Sequence, residues 1–238
     1  MSDVNALVLA GDGINCEIET AAATREAGFV TKTIHVNDLL SEAGKSLGAT
    51  SLLVIPGGFS FGDELGSGKI LSLKLKHGLG AALGRYIGHG GAVLGICNGF
   101  QVLTRLGVFG AGAVLTQNKQ GHFLNRWVGL EVTGSSIFTD GLKSAGCTRL
   151  ELPIRHGEGR LIFNGERLAE PVLRYEEDVN GSFERIAALS AFGGKVMGLM
   201  PHPEAFWCEE LYPWGAGRPL VLGVEMFRSA FEHLRGER

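Results

Sequence analysis

The stretch that decides the fold reads AVLGICNGFQVLTRL and covers residues 92–106. Its first five residues are apolar or glycine, as in a short buried strand, and residues 98–106 follow as a helix. Cys97 lies at the junction, between Gly95 and Gly99. A strand that turns sharply into a helix, with a nucleophile at the turn and small residues on both sides, forms the nucleophile elbow of α/β enzymes. The stretch therefore predicts an α/β fold with Cys97 as a nucleophile.

The rest of the chain extends this pattern in both directions. Apolar strands are predicted at 6–10, 29–36 and 51–55, with helices at 17–27 and 71–86 between them. Strands that alternate with helices indicate a parallel sheet covered on both faces. Beyond Trp127 strand-like runs follow closely, at 127–132, 149–154, 160–163, 172–175, 186–192 and 196–200, before a helix at 220–234. We therefore expect a flavodoxin-like, doubly wound, mostly parallel sheet with additional antiparallel strands in the C-terminal half, built as one domain over residues 1–238.

The composition favours a globular enzyme. Apolar residues make up 45% of the 238 residues and charged residues 20%, which argues against disorder. The net charge of −3 offers no basic surface to nucleic acid or to a membrane. The four cysteines form no C-x-x-C pair, so a zinc site is unsupported. We expect a cytoplasmic protein with reduced thiols and no metal, whose partners include neither nucleic acid nor membrane.

Three other glycine-rich motifs match known sites less well. The sequence GDGINC at 11–16 has Cys16 where a dinucleotide fingerprint requires its third glycine, so a plain turn is favoured. The sequence GSGK at 66–69 lacks two residues of a phosphate-binding loop, and Lys69 is expected to begin a helix. Ser60 also lies in an elbow pattern, but the residues after it are poor helix formers. Cys97 is the strongest candidate, and a buried structural cysteine is the alternative.

A cysteine nucleophile requires a base and a group that orients the base. Two H-x-E segments are present, HGE at 156–158 and HPE at 202–204. In an extended segment residues i and i+2 face the same side, so the glutamate reaches back to the imidazole. Prolines on both sides of His202 restrict the second segment, whereas glycines leave the first loosely defined. We predict His202 as the base and Glu204 as its orienting group; a surface histidine capped by an acid is the alternative.

With these residues the chain resembles the class I, or triad-type, glutamine amidotransferases. More narrowly, it is similar to the family of glutaminase subunits of phosphoribosylformylglycinamidine synthases. The narrower resemblance is carried by short segments at 15–17, 56–63, 115–118, 126–128, 153–159 and 180–182. It implies that Cys97 attacks the side-chain amide of glutamine, with His202 as base and later proton donor and Glu204 as orienting group.

The resemblance also assigns the residues around the elbow. Backbone N–H groups of Gly58 and Asn98 would form the oxyanion hole, a contribution commonly worth about 3–4 kcal/mol. Gly57 and Gln101 would contact the substrate glutamine. The chain itself would need no cofactor.

The implied partners are a large synthetase subunit, which uses ATP and magnesium, and a small accessory subunit. Ammonia released from glutamine would serve the synthetase in converting formylglycinamide ribonucleotide to formylglycinamidine ribonucleotide in purine biosynthesis. The alternatives are an amidotransferase or thiol hydrolase that serves a different acceptor, and a non-enzymatic binding module. Four residues depart from the family pattern, which puts partner docking and gating in question: His122, Leu124, Asn125 and Ala205.

Overall fold

A nine-stranded mixed sheet runs through the protein. The structure is a computed structural model that describes residues 3–165, 168–213 and 221–236. The strands are β1 Asn5–Ala10, β2 Val30–His35, β3 Leu52–Ile55, β4 Ala92–Ile96, β5 Ala113–Thr116, β6 Leu124–Val132, β7 Arg149–His156, β8 Arg160–Phe163, β9 Glu170–Tyr175, β10 Ile186–Ala191 and β11 Val196–Leu199. The helices are α1 Glu17–Glu26, α2 Val36–Ser41, α3 Lys69–Gly88, α4 Asn98–Arg105, α5 Asp140–Ser144 and α6 Val224–Gly236.

The strand order of the main sheet is β2-β1-β3-β4-β11-β10-β9-β6-β7, and β5 pairs with β8 in a separate two-stranded sheet. The first five strands of the main sheet are parallel and the others are antiparallel. Helices α1 and α6 pack together, and α3 contacts both α2 and α4. With right-handed crossovers, which almost all parallel strands have, this strand order implies that α1 lies on one face of the sheet and α2 and α3 on the other. The predicted doubly wound α/β fold is therefore present.

Strand burial explains why the strands β3 and β4 could be predicted from the sequence. Every residue of β3 and β4 is buried, as expected for parallel strands covered by helices on both faces. Helix α3 begins at Lys69, as predicted, and continues through three internal glycines. No helix of the described ranges is both long and apolar enough to span a bilayer.

Some predicted boundaries were wrong. The sequence pattern missed the short helices α2 and α5 and the strand β5, and β6 begins three residues before the predicted Trp127. The last helix begins at Val224 rather than at Leu220, a residue that lies outside the described ranges. Short elements bury few residues, so they leave little periodicity in the sequence.

The three central strands deliver the candidate residues to one edge of the sheet. Parallel strands β3, β4 and β11 are neighbours, and Gly95 pairs with Ile55 on one side and Gly198 on the other. Because parallel strands end at the same edge, the segments that follow them meet there. The backbone N–H of Cys97 donates to the carbonyl of Leu199 at 2.8 Å, which holds the elbow against the end of β11.

Candidate active site

Cys97 has the strained backbone of an elbow. It lies between β4 and α4 with φ 50° and ψ −103°, a conformation that costs a non-glycine residue about 1–3 kcal/mol. The flanking glycines are required sterically, because a Cβ on Gly95 would lie 2.7 Å from the Gly99 carbonyl oxygen, and one on Gly99 would lie 1.9 Å from that of Ile55. The buried thiol faces the backbone carbonyl of Arg155, with Sγ 3.6 Å from the oxygen. The predicted strand–turn–helix geometry is therefore present.

His202 and Glu204 form a buried pair. The imidazole Nδ1 lies 2.6 Å from Oε1 of Glu204, and both side chains are almost completely removed from solvent. The predicted contact is present, but its geometry differs from the extended one expected, because residues Pro203–Ala205 form a 3-10 turn. The turn brings the carboxylate to the Nδ1 side of the ring. The backbone N–H of His202 donates to the carbonyl of Pro153 at 2.9 Å, which fixes the start of the turn.

The surroundings of His202 favour its charged form. Burial alone disfavours an imidazolium, but the charges of Glu204 and Cys97 oppose this effect and raise the pKa of His202 well above its usual value. Nε2 is buried and makes no well-formed hydrogen bond with any described residue. The arrangement leaves one ring nitrogen oriented by a carboxylate and the other available for proton transfer.

Gly57 and Gly58 follow β3 and lie beside this pair. A Cβ on Gly57 would approach Cε1 of His202 to 2.8 Å and Cβ of Cys97 to 3.4 Å, so only glycine permits this packing. Gly58 has φ 142° and forms an isolated bridge with Ile14. The glycine-rich turn near the N-terminus thus contacts the loop that follows β3. The oxyanion role of Gly58 and the substrate contact of Gly57 stay predictions.

A hydrogen-bond network joins the elbow helix to two neighbouring loops. Nδ2 of Asn98 donates to Oε1 of Gln101 at 2.9 Å and to both carboxylate oxygens of Asp63 at 3.2 and 3.3 Å. Nε2 of Gln101 donates to the backbone carbonyl of Glu158 at 2.6 Å. As the first residue of α4, Asn98 also has an N–H group without a partner inside the helix, as an oxyanion donor requires. Substrate binding by Gln101 stays a prediction.

Asp63 supports the elbow, although the sequence pattern does not single it out as a site residue. It has φ 51° and accepts a hydrogen bond from the backbone N–H of Gly68 at 3.0 Å. Burial raises the pKa of its carboxyl group, and the nearby charge of Glu158 adds to this effect. The sequence contains Asp63 only within a segment that resembles the family. No spacing relates an aspartate in a glycine-rich loop to the elbow.

The first H-x-E segment is held firmly, contrary to the expectation that its glycines leave it loose. Nδ1 of His156 lies 3.0 Å from Oδ1 of Asn118, and Nδ2 of the same asparagine donates to the His156 carbonyl at 2.8 Å. A Cβ on Gly159 would lie 2.3 Å from the ring. Burial, reinforced by the charge of His202, lowers the pKa of His156 to about 3. The imidazole is therefore neutral and is not paired with Glu158.

Cys16 is a second thiol beside the candidate base, and no sequence pattern indicates its position. Ligand atoms of Cys16, His202 and Glu204 all lie within 4.8 Å of one another, a set that could hold a metal ion. A metal ion there would compete with the 2.6 Å contact between the imidazole and the carboxylate. We therefore assign the histidine to acid–base chemistry, and the absence of a metal stays a prediction.

The residues that depart from the family pattern lie around the site rather than in it. His122 and Asn125 are exposed, Leu124 is half-buried at the start of β6, and Ala205 is half-buried directly after Glu204. None of them contributes a side-chain hydrogen bond to the candidate triad in the described part of the chain.

Comparison with known proteins agrees with this geometry. A family model described as a CobB/CobQ-like glutamine amidotransferase domain matches residues 3–234. The chain belongs to this glutamine amidotransferase family. Among curated relatives, phosphoribosylformylglycinamidine synthase subunit PurQ of Dehalococcoides mccartyi is 36% identical over 227 residues, which cover 87% of each protein. The subunit PurQ of Thermotoga maritima is 36% identical over 200 residues, which cover 84% of this chain and 86% of the relative.

Two solved structures share the fold of this chain. A chain from the structure of PurLQS from Thermotoga maritima matches with a TM-score of 0.80 and 33% sequence identity, covering 98% of this chain and all of that one. A putative GMP synthase subunit from Thermoplasma acidophilum matches with a TM-score of 0.66 and 19% identity, which shows the shared fold alone. The predicted family and the predicted α/β architecture are confirmed.

Proposed function

We propose that this chain is the glutaminase subunit of a phosphoribosylformylglycinamidine synthase and supplies ammonia to a synthetase subunit. The observation that carries the proposal is Cys97 on a strained elbow beside a buried His202–Glu204 pair with a 2.6 Å contact. Similarity to PurQ subunits over most of the chain supports the choice of acceptor.

The geometry supports a two-step hydrolysis. Cys97 attacks the side-chain amide carbon of glutamine while His202 holds the thiol proton, and Glu204 stabilises the resulting imidazolium. Backbone N–H groups of Gly58 and Asn98 stabilise the tetrahedral oxyanion. His202 then gives its proton to the leaving ammonia, and water hydrolyses the γ-glutamyl thioester. No step needs a cofactor in this chain.

The surface beside the site supports docking of a partner. Phe59 and Phe123 are 47% and 49% exposed, and their ring centroids are 6.2 Å apart. Adjacent exposed aromatic rings at the mouth of a site are typical of protein interfaces. In the proposed complex a large synthetase subunit with ATP and magnesium, and a small accessory subunit, complete the enzyme in the cytoplasm. The continuous nine-stranded sheet supports a single domain for this chain.

The test uses the assembled complex and a glutamine-mimicking electrophile. We expect the electrophile to label Cys97, and Cys97→Ala to abolish glutamine-dependent but not ammonia-dependent product formation. Cys147→Ala is the matched control and should behave as the wild type, because Cys147 lies beside Arg149 at the far end of β7.

Labelling at Cys16 or Cys208 instead of Cys97 would contradict the assigned nucleophile. Rapid glutamine hydrolysis by the isolated chain, without partner or nucleotide, would favour an amidotransferase that serves another acceptor. No glutaminase activity in the assembled complex would favour a binding module.

A further inference from the structure

Cys16 lies in the active site but has no part in the glutaminase reaction proposed above. It is buried at the residue before α1, where it makes no capping hydrogen bond with the helix. Its thiol is close enough to His202 to affect the ionisation of the imidazole, as is the thiol of Cys97. Two thiols therefore share one imidazole.

The two cysteines also border one small space. A Cβ placed on Gly57 would lie 3.4 Å from Sγ of Cys16 and 3.4 Å from Cβ of Cys97. Because Gly57 has no side chain, nothing from this residue separates the two cysteines. Both contacts are to the same point, so Sγ of Cys16 lies less than about 7 Å from Cβ of Cys97. A disulfide brings the two Cβ atoms to about 3.5–4.5 Å, so its closure requires a backbone movement at Cys16, which precedes the first helix, together with rotation of the side chains.

A cavity borders this space on the side of Cys16. It has a volume of about 240 Å³, and its lining includes Cys16, His202 and Arg155, whose carbonyl the Cys97 thiol faces at 3.6 Å. The exposed rings of Phe59 and Phe123 also line it. It is large enough for a small hydroperoxide, which needs little more room than water.

We propose that Cys16 is a redox modification site: a hydroperoxide oxidises Cys97, and Cys16 then closes a reversible Cys16–Cys97 disulfide that switches the nucleophile off. In the first step the Cys97 thiolate attacks one peroxide oxygen, the O–O bond breaks, and the departing hydroxide or alkoxide takes the proton that His202 holds, so that Cys97 becomes a sulfenic acid and the imidazole becomes neutral.

In the second step the sulfur of Cys16 attacks the sulfur of Cys97. His202 accepts the proton from the Cys16 thiol and returns it to the departing hydroxide, which leaves as water. The S–S bond replaces the S–O bond, and the two thiols have together supplied the two electrons that reduce the peroxide. Burial raises the pKa of Cys16, so the reaction depends on a base as close as His202.

The disulfide has two consequences. It removes the nucleophile, and it stops Cys97 from proceeding to sulfinic acid, a product that thiol reductants do not reverse. Peroxide should therefore inactivate the wild-type protein reversibly. A protein without Cys16 should lose Cys97 permanently under the same conditions.

The experiment treats the full chain with hydrogen peroxide and follows it by mass. Trypsin places Cys16 in the peptide 1–25 and Cys97 in the peptide 86–105, each with no other cysteine. We expect the wild type to lose two hydrogens and yield these two peptides cross-linked, and dithiothreitol to restore both. In Cys16→Ser the peptide 86–105 should instead gain two oxygens that dithiothreitol does not remove.

Cys147→Ser and Cys208→Ser are matched controls and should cross-link as the wild type does. Oxidation of Cys97 to the sulfinic acid at the same rate with and without Cys16, or a disulfide that involves Cys147 or Cys208, would overturn the proposal. Cys16→Ala separates a missing thiol from an effect of the serine hydroxyl. The readout is a mass, so the result does not depend on whether glutamine is the substrate.

Discussion

The two H-x-E segments have the same spacing and equally buried histidines, yet they differ in every contact that matters for catalysis. His202 faces the carboxylate of Glu204 at 2.6 Å, whereas His156 faces the amide oxygen of Asn118 at 3.0 Å. The carboxylate of Glu158 turns away and accepts a weak hydrogen bond of 3.4 Å from the backbone of Ser67. Spacing alone therefore does not make a catalytic pair.

The difference in contacts reverses the ionisation of the two rings. A buried carboxylate raises the pKa of His202, while a neutral amide leaves burial unopposed and the pKa of His156 falls to about 3. The charge of His202 adds to the lowering of the His156 pKa, because a positive charge on one ring disfavours another on the ring beside it. One ring is suited to accept and return a proton, and the other is a structural hydrogen-bonding group.

The largest expected difference is between the variants that replace one histidine or the other. His202→Asn should lower glutamine hydrolysis in the assembled complex by about 10²–10⁴-fold, because it removes the general base and acid. His156→Asn should retain most of the activity, since its ring is not in the proton path. For each variant we would measure the rate of glutamine hydrolysis and the rate at which a glutamine-mimicking electrophile labels Cys97. Equal losses in the two variants would remove the functional distinction between the segments.

A smaller effect is expected from the two glutamates. Glu204→Gln should lower the turnover number, because the base remains but loses its orientation and charge stabilisation. The loss should be roughly 10–100 times smaller than the loss in His202→Asn. Glu158→Gln keeps its backbone carbonyl, which is the group that Gln101 contacts, so we expect little change in turnover. Steady-state kinetics with glutamine as the varied substrate compare the two. A larger loss of turnover in Glu158→Gln would exchange the roles assigned to them.

The smallest expected effect is on the pH dependence of stability. The folded pKa of His156, about 3, lies below its unfolded value of about 6.5, so the unfolded chain binds more protons in acid. Stability should therefore fall as the pH drops from about 6.5 to about 5, by about 2 kcal/mol from this residue. Urea unfolding at about pH 7 and pH 5 should show that His156→Asn lacks this loss.

His202 serves as a control, because its pKa shift changes stability with pH in the opposite direction. Its pKa is raised in the folded state, so its contribution is fully present below about pH 6.5 and is lost as the pH rises through the folded pKa. His202→Asn should leave the acid-side loss in place. An acid-side loss that is the same in the wild type and in His156→Asn would show that the first ring is not held neutral.

Much of the site was readable because its requirements are local. The elbow at residues 95–99 needs small residues within two positions of Cys97, and the steric contacts of Gly95 and Gly99 show why. The prolines beside His202 likewise act within their own segment. The shared edge of the sheet followed from parallel strands, which β3, β4 and β11 form.

Other features depend on contacts between distant segments. Asp63 reaches Asn98 across 35 residues, and His156 reaches Asn118 across 38. Cys16 meets His202 because α1, which Cys16 precedes, packs against the turn at Pro203–Ala205. A single sequence contains no periodicity that reports such pairs.

The sequence by itself determined the α/β class, the elbow at Cys97 and the choice of His202 and Glu204, because each depends on residues adjacent in the chain or on simple alternation of apolar positions. Only the tertiary structure decided that His156 is neutral, that Asp63 supports the elbow, and that Cys16 lies beside the base. Ionisation and side-chain contact depend on burial and on neighbours brought together by folding, and these are properties of the packed sheet rather than of any one segment.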